Sequence, residues 1–115
     1  MKLPNAVEAL NDSQGVLQDI HWSSGGLGYF PTYSLGNIIS CQIWEKALAA
    51  MPDLYEQFER GEFMVLREWL RENLHKHGRK FTPEETLQKV VGSSINAGPY
   101  VKYLKVKLGE IYGLQ

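Results

Sequence analysis

Apolar positions along this chain recur at intervals of three and four, in stretches separated by proline and glycine. Leu35, Ile38, Ile39, Gln42, Ile43, Leu48 and Met51 follow a 3.6-residue period. Their helix starts near Pro31, where the missing N–H of proline costs nothing. Pro52 interrupts it, and residues 53–60 form a short second helix ended by Gly61. Phe63, Leu66, Leu70 and Leu74, widened by Trp69, give the clearest stripe. The basic side chains of His75 and Lys76 belong in that helix's last turn, with Gly78 just beyond it. Thr82-Pro83-Glu84-Glu85 has the form of a capping box and opens a fourth helix that stops at Gly92. After a loop over 93–98, Pro99 opens a fifth, with Val101, Leu104, Leu108 and Ile111 on one stripe. Asn5 to Leu10 fits one or two turns of helix, and Asn11-Asp12-Ser13 a turn. The pattern predicts an all-α fold: a compact domain of about five helices, with an irregular glycine-rich loop or short extended segment near residues 15–30.

Length sets the scale. At 115 residues the chain is one domain, residues 1–115, and too short for two ordinary ones. Hydrophobic residues at 43 % and charged residues at 22 % exclude a disordered tail. No apolar run approaches the roughly 18 residues of a membrane helix. Met1-Lys2-Leu3-Pro4-Asn5 opens without a long apolar segment, so no signal peptide is expected. A single cysteine, Cys41, leaves no internal disulfide, and a cytoplasmic location follows. The net charge of −1 gives no general attraction to nucleic acid. Residues 60–80 carry six Lys and Arg against three Glu, which reads as a solvated helix face rather than a nucleic-acid patch.

The search for catalytic chemistry narrows to one segment. H-E-x-x-H, paired-cysteine zinc spacing, G-x-S-x-G and a phosphate-binding glycine loop are all missing. His75 and His77 on a helix point about 200° apart and cannot share a metal. Cys41 sits in an apolar helix and reads as a small core residue. Met51, Met64 and the Trp and Tyr residues at helical spacing also read as core. Residues 15–37 remain. There a histidine and two phenols, His21, Tyr29 and Tyr33, are presented by a glycine-rich turn and the first turn of a helix. Imidazole and phenol can both donate to a developing oxyanion. The same residues also fit a packed corner whose polar groups satisfy one another.

Gly15-x-x-Gln18-Asp19-x-His21-Trp22 matches, at every fixed position, the G-x-x-Q-D-x-H-W motif of the carboxypeptidase Taq family of zinc metallocarboxypeptidases. Gly28-Tyr29-Phe30-Pro31-Thr32-Tyr33, then Leu35-Gly36-Asn37, resembles the family's next block. Leu66-Arg67-Glu68-Trp69-Leu70, His75-Lys76-His77-Gly78 and Tyr103-Leu104 resemble its later helices. The resemblance runs from about Asn11 to Leu114 and covers only the C-terminal part of the family. Val91-Gly92-Ser93-Ser94 and Ala97-Gly98 depart from the family's usual loop.

The resemblance implies a mostly helical, cytoplasmic and commonly homodimeric enzyme, several times longer than this chain. Such enzymes remove single residues from peptide C-termini with one zinc held by H-E-x-x-H and a further glutamate. That machinery precedes the region present here, so no cofactor is expected in this chain and zinc only in the full-length family. Carried over, His21 stands near the scissile carbonyl. Tyr29 and Tyr33 line the cleft, one of them as oxyanion donor. Gln18 and Asp19 orient His21 or nearby backbone, with Trp22 and Gly28 beside them. The chain is then a pocket wall, inactive alone, whose partners are peptide C-termini only once the missing part is supplied. Neither nucleic acid nor membrane is expected as a partner. The competing reading is a non-catalytic helical interaction module of the same ancestry. Three tryptophans and 11 % aromatic residues make incomplete self-burial, and hence a homodimer, the expectation for either.

Overall fold

In the computed structural model, residues 11–114 are described, and among them every regular element is helical. The predicted turn or two of helix over Asn5–Leu10 lies outside the described residues. Five α-helices follow in order: α1 (Pro31–Ala50), α2 (Leu54–Glu59), α3 (Met64–Asn73), α4 (Pro83–Val91) and α5 (Gly98–Tyr112). The chain divides between Tyr33 and Ser34 into two compact units.

The first unit is built from turns. Asn11 caps a 3-10 turn over Asp12–Gln14, its side-chain oxygen accepting from the Gln14 N–H at 3.0 Å. A second 3-10 turn, Val16–Gln18, leads to Asp19 in extended conformation. The chain then reverses tightly: the Gly26 N–H donates to the His21 carbonyl at 2.6 Å. A Cβ at Gly26 would meet that carbonyl oxygen at 3.0 Å, tighter than most such contacts, so glycine favours the close approach. Gly28, at φ +76°, adopts the left-handed conformation that aims Tyr29 back toward the turn. This is the irregular loop that the glycine density predicts.

In the second unit the core lies where α1, α2 and α3 meet. Ala47, Met51 and Leu54 are buried, and Trp44, Leu48, Phe58, Leu66 and Trp69 pack against them. Leu54 is fully enclosed. On the other side of α1, Leu87 and Val91 of α4 are also buried. One polar side chain is enclosed at this level of burial in α1. Gln42 donates from Nε2 to the Ser94 carbonyl at 3.0 Å, and its Oε1 accepts from the Asn96 N–H at 3.0 Å. It thereby ties α1 to the loop that launches α5.

Helix ends follow their local chemistry. Thr82 and Glu85 form the full capping box, with Glu85 accepting from the Thr82 N–H at 2.8 Å. Gly61, Gly92 and Gly113 stop their helices in left-handed conformations. The end of α3 differs from expectation. Its α-helical hydrogen bonding ends at Asn73, and His75, Lys76 and His77 form a separate 3-10 turn before Gly78. A residue at Leu74 with ψ −62° and φ −124° has already left α geometry there.

Several residues expected in the core lie outside it. Met64, Tyr55, Tyr103 and Tyr112 are exposed. Cys41 is only half-buried and lines a groove with Trp44, Leu48, Tyr103 and Val106. On α5 the apolar stripe exists, but Val101, Leu108 and Ile111 face solvent. Periodicity reveals that a helix has an apolar face; it does not reveal whether this chain supplies what covers it.

The core assignment predicts unequal costs. Leu54→Ala should cost about 2–5 kcal/mol, as for a fully buried leucine. Met64→Ala should stay within about 0.5 kcal/mol, as for an exposed site. Urea unfolding followed by circular dichroism reads both, and equal costs would contradict this placement of the core.

Candidate functional site

The motif residues of the first unit fold onto one histidine. Asp19 sits two residues before His21, and its Oδ1 accepts from the His21 backbone N–H at 2.7 Å. Such a contact is an Asx turn, a short-range bond that a carboxylate makes readily with the amide two positions on. The same oxygen stands 2.5 Å from His21 Nδ1. The opposite ring nitrogen, Nε2, lies 3.4 Å from the Tyr33 hydroxyl, a long and weak hydrogen bond. Tyr33 reaches it from the first turn of α1, where the Tyr33 N–H donates to the Phe30 carbonyl at 3.1 Å.

Aromatic packing holds the ring on its other sides. Tyr29 stacks on His21 with centroids 5.5 Å apart and planes at 18°. Tyr33 meets both His21 and Tyr29 edge-on, at 5.8 and 5.6 Å. Phe30 lies 5.0 Å from His21 and 5.7 Å from Tyr33. Trp22 enters only through Phe30, with centroids 6.4 Å apart. Offset and edge-on geometries of this kind each add modestly to simple burial. About half the surface of Tyr29, Tyr33 and Trp22 nevertheless stays open, at 52 %, 52 % and 49 %. The cluster is therefore a presented surface, and its phenols remain accessible.

The structure thus brings His21, Tyr29, Tyr33 and Asp19 together. Gln18 stands apart: it is exposed, and among the described residues its side chain makes no hydrogen bond. Of the two residues expected to orient His21, the contacts belong to Asp19. Gly28 acts through backbone conformation alone. Two contributors escaped the sequence reading. Phe30 is the hub that connects Trp22 to the phenols, and its only signal was its place beside Tyr29. Gly26 is the close-approach glycine; the run Gly25-Gly26 carried that signal without saying which of the two was needed.

The electrostatics are local. The His21 backbone N–H is the main cause that holds the Asp19 carboxyl below its ordinary 3.8; partial desolvation opposes it, and the His21 ring's hydrogen bond and charge add to the lowering. A carboxylate so held is an acceptor only. It supports an imidazole whose far nitrogen faces the phenol of Tyr33, and a phenol can offer a hydrogen bond to a carbonyl or carboxylate oxygen. Among the described residues no group of three or more His, Cys, Asp or Glu side chains converges. No step through a metal is therefore assigned to them.

Comparison with known proteins places this arrangement in context. Residues 5–108 match a family described as carboxypeptidase Taq (M32) metallopeptidase. The thermostable carboxypeptidase 1 of Thermus thermophilus is 41 % identical over 99 residues, which are 86 % of this chain and 19 % of that protein. Carboxypeptidase 1 of Bacillus subtilis is 37 % identical over 101 residues, 88 % of this chain and 20 % of the relative. Among solved structures, the M32 carboxypeptidase of Deinococcus radiodurans superposes with a TM-score of 0.83 at 45 % identity. It covers 93 % of this chain, and this chain covers 22 % of it. The chain spans about a fifth of the length of the relatives it matches.

The Asp19 contact has a definite pH signature. Its folded-state value is lowered, so the contact's contribution is complete above 3.8 and is lost as pH falls through the lowered value. Carbon-detected titration of the Asp19 carboxyl should give a midpoint below 3.8. In His21→Ala the midpoint should rise only part of the way, because the backbone N–H remains. A midpoint at or above 3.8 in the unaltered chain would refute the assignment.

Proposed function

The chain belongs to the carboxypeptidase Taq (M32) metallopeptidase family, and on that premise we propose that it forms one wall of a peptide cleft. The enzyme it serves would remove single residues from peptide C-termini. One observation carries the reading: the family-type motif folds into His21 pinned at Nδ1 by Asp19, with the Tyr33 hydroxyl at Nε2 and exposed phenols on the rim. His21, Tyr29 and Tyr33 are the groups that meet the substrate. Tyr33, or Tyr29 beside it, donates to the oxyanion that develops as water attacks the scissile carbonyl. Trp22 and Phe30 support the rings.

Magnitudes argue for a division of labour. One oxyanion donor contributes about 3–4 kcal/mol. Enzymes lower their barriers by roughly 8–23 kcal/mol in total. A wall bearing one or two donors falls well short, so the water-activating zinc belongs to sequence that this chain does not contain. In this reading the 115 residues alone are inactive. The single cysteine, free rather than paired, supports a cytoplasmic setting. Among the described residues no helix is long and apolar enough to cross a membrane.

A second reading, a non-catalytic helical interaction module, draws on α5. Val101, Val106, Leu108, Ile111 and Tyr112 are all exposed, and grouped exposed apolar residues mark interaction surfaces. Under either reading a homodimer is proposed for the isolated chain.

Two measurements test these statements. The first is a hybrid in which residues 11–114 replace the matching fifth of the Bacillus subtilis enzyme. It should release C-terminal residues from an N-blocked dipeptide, and Tyr33→Phe together with Tyr29→Phe should lower kcat by about 10²–10³. An unchanged kcat would remove the phenols from the reaction, and metal-dependent release by the isolated chain would refute the division of labour. The second is light scattering of the isolated chain at about 50 μM, a concentration at which modest apolar interfaces associate. Twice the chain mass of 13.1 kDa is expected; a monomer would refute the dimer.

A further inference from the structure

Asp19 and Tyr33 address opposite nitrogens of one imidazole, and only one of them dictates where its proton sits. Asp19 Oδ1 already accepts from the His21 backbone N–H and faces Nδ1 within hydrogen-bonding distance. A carboxylate cannot donate, so the hydrogen between them belongs to Nδ1. A phenol can donate or accept and imposes nothing. The remaining neighbours, Tyr29 stacked on the ring and Phe30 tilted against it, contribute faces and edges rather than charge.

We propose that Asp19 is the positioning residue of this site: it fixes His21 as the Nδ1–H tautomer, leaving Nε2 as the bare nitrogen and coupling the imidazole to Tyr33 rather than to Tyr29. Tyr29 is stacked nearly parallel to the ring, whereas the Tyr33 hydroxyl stands at Nε2. The coupling sets the direction of the Tyr33 hydrogen bond. With a neutral ring, the Tyr33 O–H donates to Nε2 and only its oxygen lone pairs remain for an outside group. With a protonated ring, Nε2–H donates to the phenol oxygen, and the Tyr33 O–H turns outward to a peptide carbonyl or carboxylate oxygen. One proton on His21 thus decides whether Tyr33 is a donor to a ligand. The identity of that ligand rests on the peptide-cleft reading above; the tautomer does not.

The tautomer is directly observable on the isolated chain. Long-range proton–nitrogen correlation at about pH 8.5, two units above the ordinary imidazole value, should show His21 with a protonated Nδ1 and a bare, pyridine-like Nε2. Exposed His75 supplies an unsupported imidazole in the same spectrum. In Asp19→Ala the His21 pattern should shift to that of His75. Asp19→Asn, whose amide oxygen can still accept, should restore Nδ1–H, and Tyr33→Phe should leave it unchanged. A protonated Nε2 in the unaltered chain, or an Asp19→Ala pattern identical to it, would overturn the proposal. Amide spectra of residues 11–33, the described part of the compact unit that holds the site, report whether each variant has kept its fold. Should Asp19→Ala lose it, the unaltered spectrum and the Asn variant still decide. An inactive hybrid enzyme with the His21 tautomer intact would count against the peptide-cleft reading alone.

Discussion

A buried amide ties α1 to the loop that launches α5 in the second unit of this structure. Gln42 lies in the middle of α1 at 3 % exposure. Burying an amide without partners costs about 1–3 kcal/mol. Gln42 meets that cost by bonding backbone more than 50 residues away, at Ser94 and Asn96. Backbone groups in the α4–α5 loop are satisfied in the same act, although the loop has no regular structure of its own. Nothing apolar could do this. A leucine at the position would fill the space and leave a carbonyl and an N–H without their side-chain partner. The start of α5 is thus set by a hydrogen-bond geometry, which is directional, rather than by packing, which is not.

The sequence shows its helices clearly because their ends are chemical events within a few residues. A capping box needs only Thr82 and Glu85, and a left-handed stop needs only a glycine such as Gly92. Where the final turn depends on competing geometries the prediction shifts, as it does at Leu74, where α3 gives way to a 3-10 turn. Burial was less legible. Gln42 was readable as a member of the apolar stripe, but its partners at 94 and 96 were not, because they are remote in sequence. Met64 and the stripe on α5 are apolar and exposed. Their composition is that of a core, and the relatives, about five times longer, have far more chain with which to cover such a face. Amphipathicity records that a face is meant to be covered; it is silent on whose residues cover it.

The candidate site behaves in the opposite way, and the reason is its locality. Every contact that shapes it falls between Asp19 and Tyr33. The hydrogen bond between Tyr33 and His21, at a separation of 12 residues, is the longest-range one. An Asx turn, a close-approach glycine and the first turn of a helix suffice to gather the rings. A short motif can therefore encode the whole arrangement, which is why the residues read from the sequence are largely those the structure assembles. What stayed hidden was the division of roles among adjacent residues: Asp19 rather than Gln18, Gly26 beside Gly25, and Phe30 as the link to Trp22. Such choices depend on side-chain direction in irregular backbone, where no period of 2 or 3.6 applies.

Locality also constrains how the site can work. A constellation fixed by its own turn is shaped by contacts within residues 19–33 alone. Its energetics do not share that independence. An ion pair or hydrogen bond open to water is worth little, and the same contact gains strength when the surroundings exclude water. Here the phenols are half exposed, so the cluster is pre-arranged but open to water. Exclusion of water around it would strengthen the Asp19–His21 contact. The chemistry that can be prepared locally, orientation of the imidazole and choice of its tautomer, is prepared by this chain. The contribution that depends on excluding water is not supplied by a cluster this open.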